Sequence, residues 1–134
     1  MRAFSTTVIG LLLICSGLIV VRQVAGAGSK TLRGWLSDER CARSRASGGT
    51  YEATNPDCAK QCVAKGAKIV LILPEQKNIL TVANQESAKT NVGDYVEVNG
   101  DVDEQAKSIH IDSLKLLTKG KAMCALPRAK KAGD

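Results

Sequence analysis

Aromatic side chains and histidine are scarce in this chain. Its 134 residues include one tryptophan, two tyrosines, one phenylalanine and one histidine. With so few rings, the hydrophobic core has to be built from Val, Ile, Leu and Ala. The single histidine, His110, also excludes the paired-histidine motifs of common zinc enzymes.

Sequence motifs typical of enzyme active sites are absent as well. The chain has no glycine-rich phosphate-binding loop and no Gly-x-Ser-x-Gly nucleophile elbow. His110 and Asp112 share one face of a predicted strand, but the sequence ties no serine or cysteine nucleophile to them. We therefore predict a protein that is not an enzyme and that needs no cofactor.

The N-terminus is typical of a secretory signal peptide. Arg2 precedes an apolar run over 8–21, and the small residues Ala25, Gly26 and Ala27 follow it. The run is shorter than the roughly 20 residues that span a bilayer, which disfavours a retained anchor. We expect a signal peptide over 1–27, no transmembrane segment after its cleavage, and a secreted or periplasmic protein.

The remaining chain is mildly basic. Removal of Arg2 and Arg22 from 19 basic residues, against 13 acidic ones, leaves a net charge of about +4. This charge favours solubility and weak attraction to anions, and it makes nucleic acid an unlikely partner. The length predicts one domain with a modest core, which we expect to be a monomer.

The hydrophobic pattern predicts five strands and one helix. Asn55 as N-cap, Pro56 in the first turn and Gly66 as terminator predict a helix over 56–65, and the polar stretch 38–54 predicts an irregular loop. Apolar alternation or β-branched runs predict the strands, at 30–37, 68–73, Asn78–Val82, 95–102 and 108–117.

This order of elements favours a mainly β fold. Five short strands with polar turns suit a small OB-like barrel over 28–117, with one short α-helix between strands 1 and 2, because closure removes exposed edge strands. An open antiparallel sheet with a helix packed on it is the alternative. Residues 118–134, rich in Lys, Ala and Gly, predict a basic flexible tail.

Four cysteines would remain after cleavage. Cys41, Cys58, Cys62 and Cys124 allow three pairings, and export into an oxidising compartment favours disulfides. Cys58 and Cys62 lie on one helix face but cannot easily bond each other, so Cys41 is the natural partner of one of them. Cys124 then pairs with the other, stays free or pairs with another molecule.

The same sulfurs allow a second interpretation. Cys41, Cys58 and Cys62 could bind zinc or copper as a three-sulfur site, although a closed zinc site requires a fourth ligand. Redox chemistry is the weaker hypothesis, because the two-residue spacing of thioredoxin-like motifs is missing.

Three residues are candidates for ligand contact. Trp35 on the first strand could form a stacking platform, or it could cover the helix or a barrel mouth. His110 and Asp112 could bind a metal or an anion on an exposed strand face. None of the three alone indicates a ligand.

Several motifs together resemble a family of small exported bacterial proteins with OB-like barrels, uncharacterised as a group. They are "GWLSDERC", "NPDCAKQCVAKGAKIVLI" and "GDYVEVNGDVDEQAKSIHIDSLKLL", which cover most of 34–117. The resemblance implies the fold and the location, but no established reaction. Family members often carry a histidine shortly after the first cysteine; "CARSRASGG" has none, so the resemblance gives no support to a metal role.

The sequence thus predicts an exported, non-enzymatic OB-like module that is stabilised by disulfide. Its partner would be a small ligand or an envelope component. A thiol-dependent metal-binding protein of the envelope is the alternative.

Overall fold

The protein is mainly β over residues 28–121, the part that the computed structural model describes. Residues 1–27 and 122–134 lie outside the described part, and with them the predicted signal peptide, most of the predicted tail and Cys124. The strands are β1 (Ser29–Asp38), β2 (Ile69–Leu73), β3 (Asn78–Val82), β4 (Tyr95–Asp103) and β5 (Ser108–Thr118). The helices are α1 (Glu39–Ser47) and α2 (Pro56–Ala64), and two 3-10 turns, Gln85–Ser87 and Lys89–Asn91, link β3 to β4.

The five strands form one sheet that closes into a ring in the order β1-β2-β3-β5-β4. β1 pairs antiparallel with β4 over residues 29–35 and with β2 over 35–38, so it changes neighbours at Trp35. The hairpins β2-β3 and β4-β5 are antiparallel, whereas β3 and β5 run parallel. The predicted five-stranded, mainly β architecture is confirmed.

Asn84 extends the short contact that closes the ring. β3 and β5 share only two register pairs, Thr81 with Ser108 and Val82 with Ile109. Beyond them, the side-chain amide of Asn84 donates to the carbonyl oxygen of Ile111 at 2.7 Å and accepts from its N–H at 2.8 Å. One side chain therefore supplies the two hydrogen bonds that a further strand residue would have made.

The prediction of a loop over 38–54 with a single helix is wrong, because α1 occupies half of that stretch. Asp38 is the N-cap, and its Oδ1 accepts from the N–H of Cys41 at 2.9 Å. Glu39 and Arg43 form an i,i+4 ion pair on the helix surface. α1 is largely polar and buries Ala42 alone, so its hydrophobic periodicity is too weak to predict a helix.

The second helix begins where the sequence predicts. Asn55 caps α2, accepting from the N–H groups of Asp57 and Cys58 at 3.0 and 3.3 Å. In the sheet, the register of β4 against β5 shifts between Asn99 and Gly100.

Two hydrophobic clusters lie on opposite faces of β2. The first is the interior of the ring, to which all five strands contribute and α2 adds Ala59. The second lies outside β2 and β3 under α1, and consists of Ala42, Val70, Ile72 and Ile79 with Trp35, Ala46 and Tyr51 against it. Because both faces are covered, every residue of β2 is buried, and this accounts for its unbroken apolar sequence.

No helix within residues 28–121 has the length and apolar character that crossing a membrane requires.

Gly34 permits the close approach of β1 to β2. A Cβ at this position would lie 2.2 Å from the carbonyl oxygen of Ile72, a backbone atom that cannot move aside without shifting the strand. We predict that Gly34→Ala lowers the free energy of unfolding by about 3 kcal/mol, as overpacking does. Urea denaturation would measure the change.

Gly48→Ala is the matched control. Its Cβ would meet only the carbonyl oxygen of Arg45, at 3.4 Å, an ordinary contact. Equal stability of the two variants would refute the role given to Gly34.

Candidate functional site

The end of β1 and the starts of the two helices place two cysteines in equivalent positions. Asp38 precedes Cys41 by three residues and Asn55 precedes Cys58 by three, and each N-cap side chain accepts from the N–H of its cysteine. In both helices, therefore, the third residue is a cysteine whose N–H is bound by the N-cap side chain. The two cysteines nevertheless have different surroundings.

Cys41 belongs to a compact cluster with Asp38 and Cys62. One carboxylate oxygen of Asp38 and the two sulfurs all lie within 4.8 Å of one another. Cys41 and Cys62 are half-buried, whereas Cys58 is exposed and is not a member of the cluster. The structure thus brings Cys41 beside the second helix cysteine, one turn further along α2.

The predicted disulfide is not formed in this structure. The three cysteines within residues 28–121 are all in the free form. The expected proximity of Cys41 to a cysteine of the helix is nevertheless present, and Cys62 is the neighbour.

Asp38 combines full burial with incomplete hydrogen bonding. The side chain has no exposed surface, and Oδ1 is used by the helix cap. Oδ2 is the one buried side-chain nitrogen or oxygen of the described residues that lacks a hydrogen-bond partner. An unpaired oxygen on a buried carboxylate is an unfavourable arrangement unless another group satisfies it.

The surroundings of Cys41 make its thiol a weak acid. Burial raises its pKa to about 11, and the neighbouring Asp38 carboxylate adds to the shift, because it favours the protonated thiol and disfavours a second negative charge there. These effects outweigh the favourable position near a helix N-terminus. Cys41 is therefore protonated and a poor nucleophile at neutral pH when the protein is reduced and carries no metal.

Two open grooves flank α1. The first, the helix groove, has a volume of about 520 Å³ and lies between the helices, lined by Arg40, Cys41, Ser44, Arg45, Thr54, Asn55 and Cys58. It gives access to Cys41 from solvent. Two residues of its lining are held by hydrogen bonds. The hydroxyl of Thr54 is hydrogen bonded to that of Ser37, and the Arg45 guanidinium donates to the carbonyl oxygen of Ala53.

The second, the basic groove, lies between α1 and the tips of both hairpins and has a volume of about 350 Å³. It is lined by Arg43, Ala46, Ser47, Tyr51, Lys77, Asn78, Ile79 and Lys107. The lining includes three cationic residues and no acidic one. Lys77 and Lys107 have positive φ values of 48° and 49°, so each ends a tight hairpin turn in the same backbone conformation.

The three residues predicted to contact a ligand lie apart. Trp35 packs against the outer cluster beneath α1, and its ring centroid is 4.9 Å from that of Tyr95. His110 and Asp112 are exposed on β5, where His110 lies opposite Asp101. The structure does not bring these three residues to one site.

Sequence reasoning missed the role of Asp38 and the basic groove. The spacing Asp-x-x-Cys was visible, and it is the spacing at which an N-cap side chain reaches the third residue of a helix. The basic groove had no comparable signal, because its cations come from three separated segments.

Comparisons of the chain with protein-family models, with curated proteins and with solved structures give no match.

The surroundings of the cysteines predict different reactivities. In reduced, metal-free protein, Cys41 should react with iodoacetamide far more slowly than Cys58 at pH 8, because little of it is thiolate and it is half-buried. Its rate should rise about tenfold per pH unit and level off near pH 11, since a raised pKa moves ionisation upward. Peptide mass mapping of the alkylated sites would measure both rates.

A rate at Cys41 that levels off below pH 9 would contradict this account. Asp38→Asn should lower the pH at which the rate levels off, because it removes the neighbouring charge and keeps a capping oxygen.

Proposed function

We propose that this protein is an exported, non-enzymatic binding module with an OB-like barrel, and that the basic groove is its ligand site. The observation that carries the proposal is the position of this groove. It lies where the segment between β1 and β2, strand β3 and the turn between β4 and β5 meet. OB-folds bind their ligands at the corresponding loops and strands.

The strand pairing supports the OB-like assignment. The order β1-β2-β3-β5-β4, with β1 beside β4, gives a five-stranded closed sheet, as that fold has. The family of small exported bacterial proteins that the motifs resemble has the same expected barrel. We assign the protein to that family and to a secreted or periplasmic location as part of this proposal.

The charge of the groove favours an anionic ligand. Arg43 is paired with Glu39 at 2.8 Å, so Lys77 and Lys107 carry most of the uncompensated positive charge. Tyr51 adds a half-buried aromatic surface. We propose an anionic envelope component, such as an acidic saccharide, because the net charge is too small for a nucleic-acid-binding protein.

We predict that the protein binds dextran sulfate and does not bind neutral dextran. Lys77→Gln with Lys107→Gln should weaken the affinity about tenfold, because two contacts to anionic groups are lost. Isothermal titration calorimetry at two salt concentrations would measure it, and the affinity of the unaltered protein should fall at the higher salt.

Lys60→Gln with Lys68→Gln removes the same charge from exposed positions outside the groove and is the control. Equal losses in both double variants would mean non-specific attraction and would refute the groove as the site.

We also propose that oxidation joins Cys41 to Cys62. The two thiols lose two electrons and two protons, and a disulfide oxidant accepts them and becomes two thiols. The bond would fasten α1 to α2 across the loop that separates them. Support comes from the proximity of these sulfurs, the position of Cys58 outside the cluster and the predicted oxidising compartment.

Closure of this loop of roughly 20 residues should contribute about 3 kcal/mol to the free energy of unfolding. In oxidised protein, we predict that Cys41→Ser and Cys62→Ser each lose about that amount in urea denaturation. Cys58→Ser should lose little. Cys124 is also replaced in each variant for a measurement of intact mass. Oxidation should then lower the mass of the Cys58→Ser variant by two hydrogen atoms. It should leave the masses of the Cys41→Ser and Cys62→Ser variants unchanged.

A bond between Cys41 and Cys58 in peptide mapping would refute the pairing.

A further inference from the structure

We infer that the reduced protein binds one zinc ion through Asp38, Cys41 and Cys62. This inference goes beyond the proposed ligand groove and concerns a different site. It rests on three donor groups of suitable chemistry that the fold holds within 4.8 Å of one another.

The spacing of the donor atoms is close to that of a tetrahedral zinc site. Zinc bonds of about 2.3 Å to sulfur and about 2.0 Å to oxygen place the ligand atoms about 3.5 Å apart. The three donors need to approach one another by no more than about 1.3 Å. They belong to β1, α1 and α2, so three separate elements hold them in place.

The buried carboxylate is the second, independent observation. Asp38 Oδ2 is buried without a hydrogen-bond partner, although the same side chain uses Oδ1 to cap α1. A bound cation would satisfy this oxygen. Asp38 would then cap α1 with one carboxylate oxygen and bind the metal with the other. Cys41 would be held at its N–H by the cap and at its sulfur by the metal.

The donor set selects the metal. Two thiolates and one carboxylate suit zinc, whereas copper(I) prefers sulfur ligands and gains little from a carboxylate. Binding would release two thiol protons to the solvent. The resulting negative charge lies beside Arg40 and Arg45, which line the helix groove with Cys41.

Access to the proposed site is from the helix groove. Cys41 lines this groove, so zinc and a water ligand could enter from it. The zinc-bound state and the disulfide use the same two sulfurs, so they exclude each other. Reduced protein would hold the metal, and oxidation of the pair would release it.

The test uses the full chain with Cys15, Cys58 and Cys124 replaced by Ser, so that Cys41 and Cys62 are the only thiols. Reduced, metal-free protein is titrated with zinc against a chromophoric chelator, and cobalt(II) is used as a spectroscopic substitute. We expect one zinc per chain and a cobalt spectrum with tetrahedral bands and a thiolate charge-transfer band.

Asp38→Asn is the critical variant, because asparagine retains the capping oxygen while the ligand carboxylate is lost. Loss of a partner of a metal ligand typically costs 10- to 100-fold in affinity, so loss of the ligand itself should weaken zinc about 100-fold. Copper(I) affinity should change little. Asp57→Asn, an exposed acid on α2 outside the cluster, is the matched control and should bind zinc normally.

Zinc affinity unchanged by Asp38→Asn, or retained after Cys41→Ser or Cys62→Ser, would overturn the inference. So would binding of copper(I) without zinc. Circular dichroism would check that each variant is folded, and Asp38→Ser offers a second capping replacement. Failure here is distinguishable from failure of the proposed function, because dextran sulfate binding and the disulfide are measured without zinc.

Discussion

Closure of the sheet between β3 and β5 is the constraint on which the rest of the structure depends. The other neighbouring strands are antiparallel, and two of these pairs are joined by tight turns, whereas β3 and β5 meet in parallel through two register pairs. The side chain of Asn84 extends this contact by holding Ile111 at both its N–H and its carbonyl oxygen. The interior cluster is enclosed only because this junction holds, since all five strands contribute to it.

The segment between β1 and β2 carries the candidate sites because it is the one long connection that leaves the ring and returns. It supplies α1, α2, both cysteines of the cluster and much of the lining of both grooves. The ring of strands anchors this connection at Asp38 and Ile69. Binding functions are commonly located on such connections, which can vary without disturbing the sheet.

The strands were predictable because their hydrophobic signals are strong. β2 is an unbroken apolar run, and β4 and β5 begin with clear alternation, so their positions follow from the sequence within one or two residues. α2 was predictable from Asn55 and Pro56. α1 was not, because Ala42 and Ala46 are its only hydrophobic contacts with the outer cluster.

The candidate sites were less accessible to sequence reasoning for a geometric reason. The proximity of Cys41 to Cys62 rather than to Cys58 depends on how α2 is rotated against β1, which spacing alone does not determine. The meeting of Lys77 with Lys107 depends on the parallel neighbours β3 and β5, which bring the two hairpin tips to the same end of the ring. Local sequence patterns therefore predict neither the proximity of the two cysteines nor that of the two lysines.

The covering of β2 on both faces has a consequence for the evolution of the chain. Val70, Ile72 and Ile79 are shielded from solvent by a helix that is itself mostly hydrophilic. Replacement of the connection that contains α1 by a short loop would leave an exposed hydrophobic patch on the outside of the ring. A shortened descendant would therefore have to acquire polar substitutions on β2 and β3 first, or recruit another molecule to occupy the vacated surface.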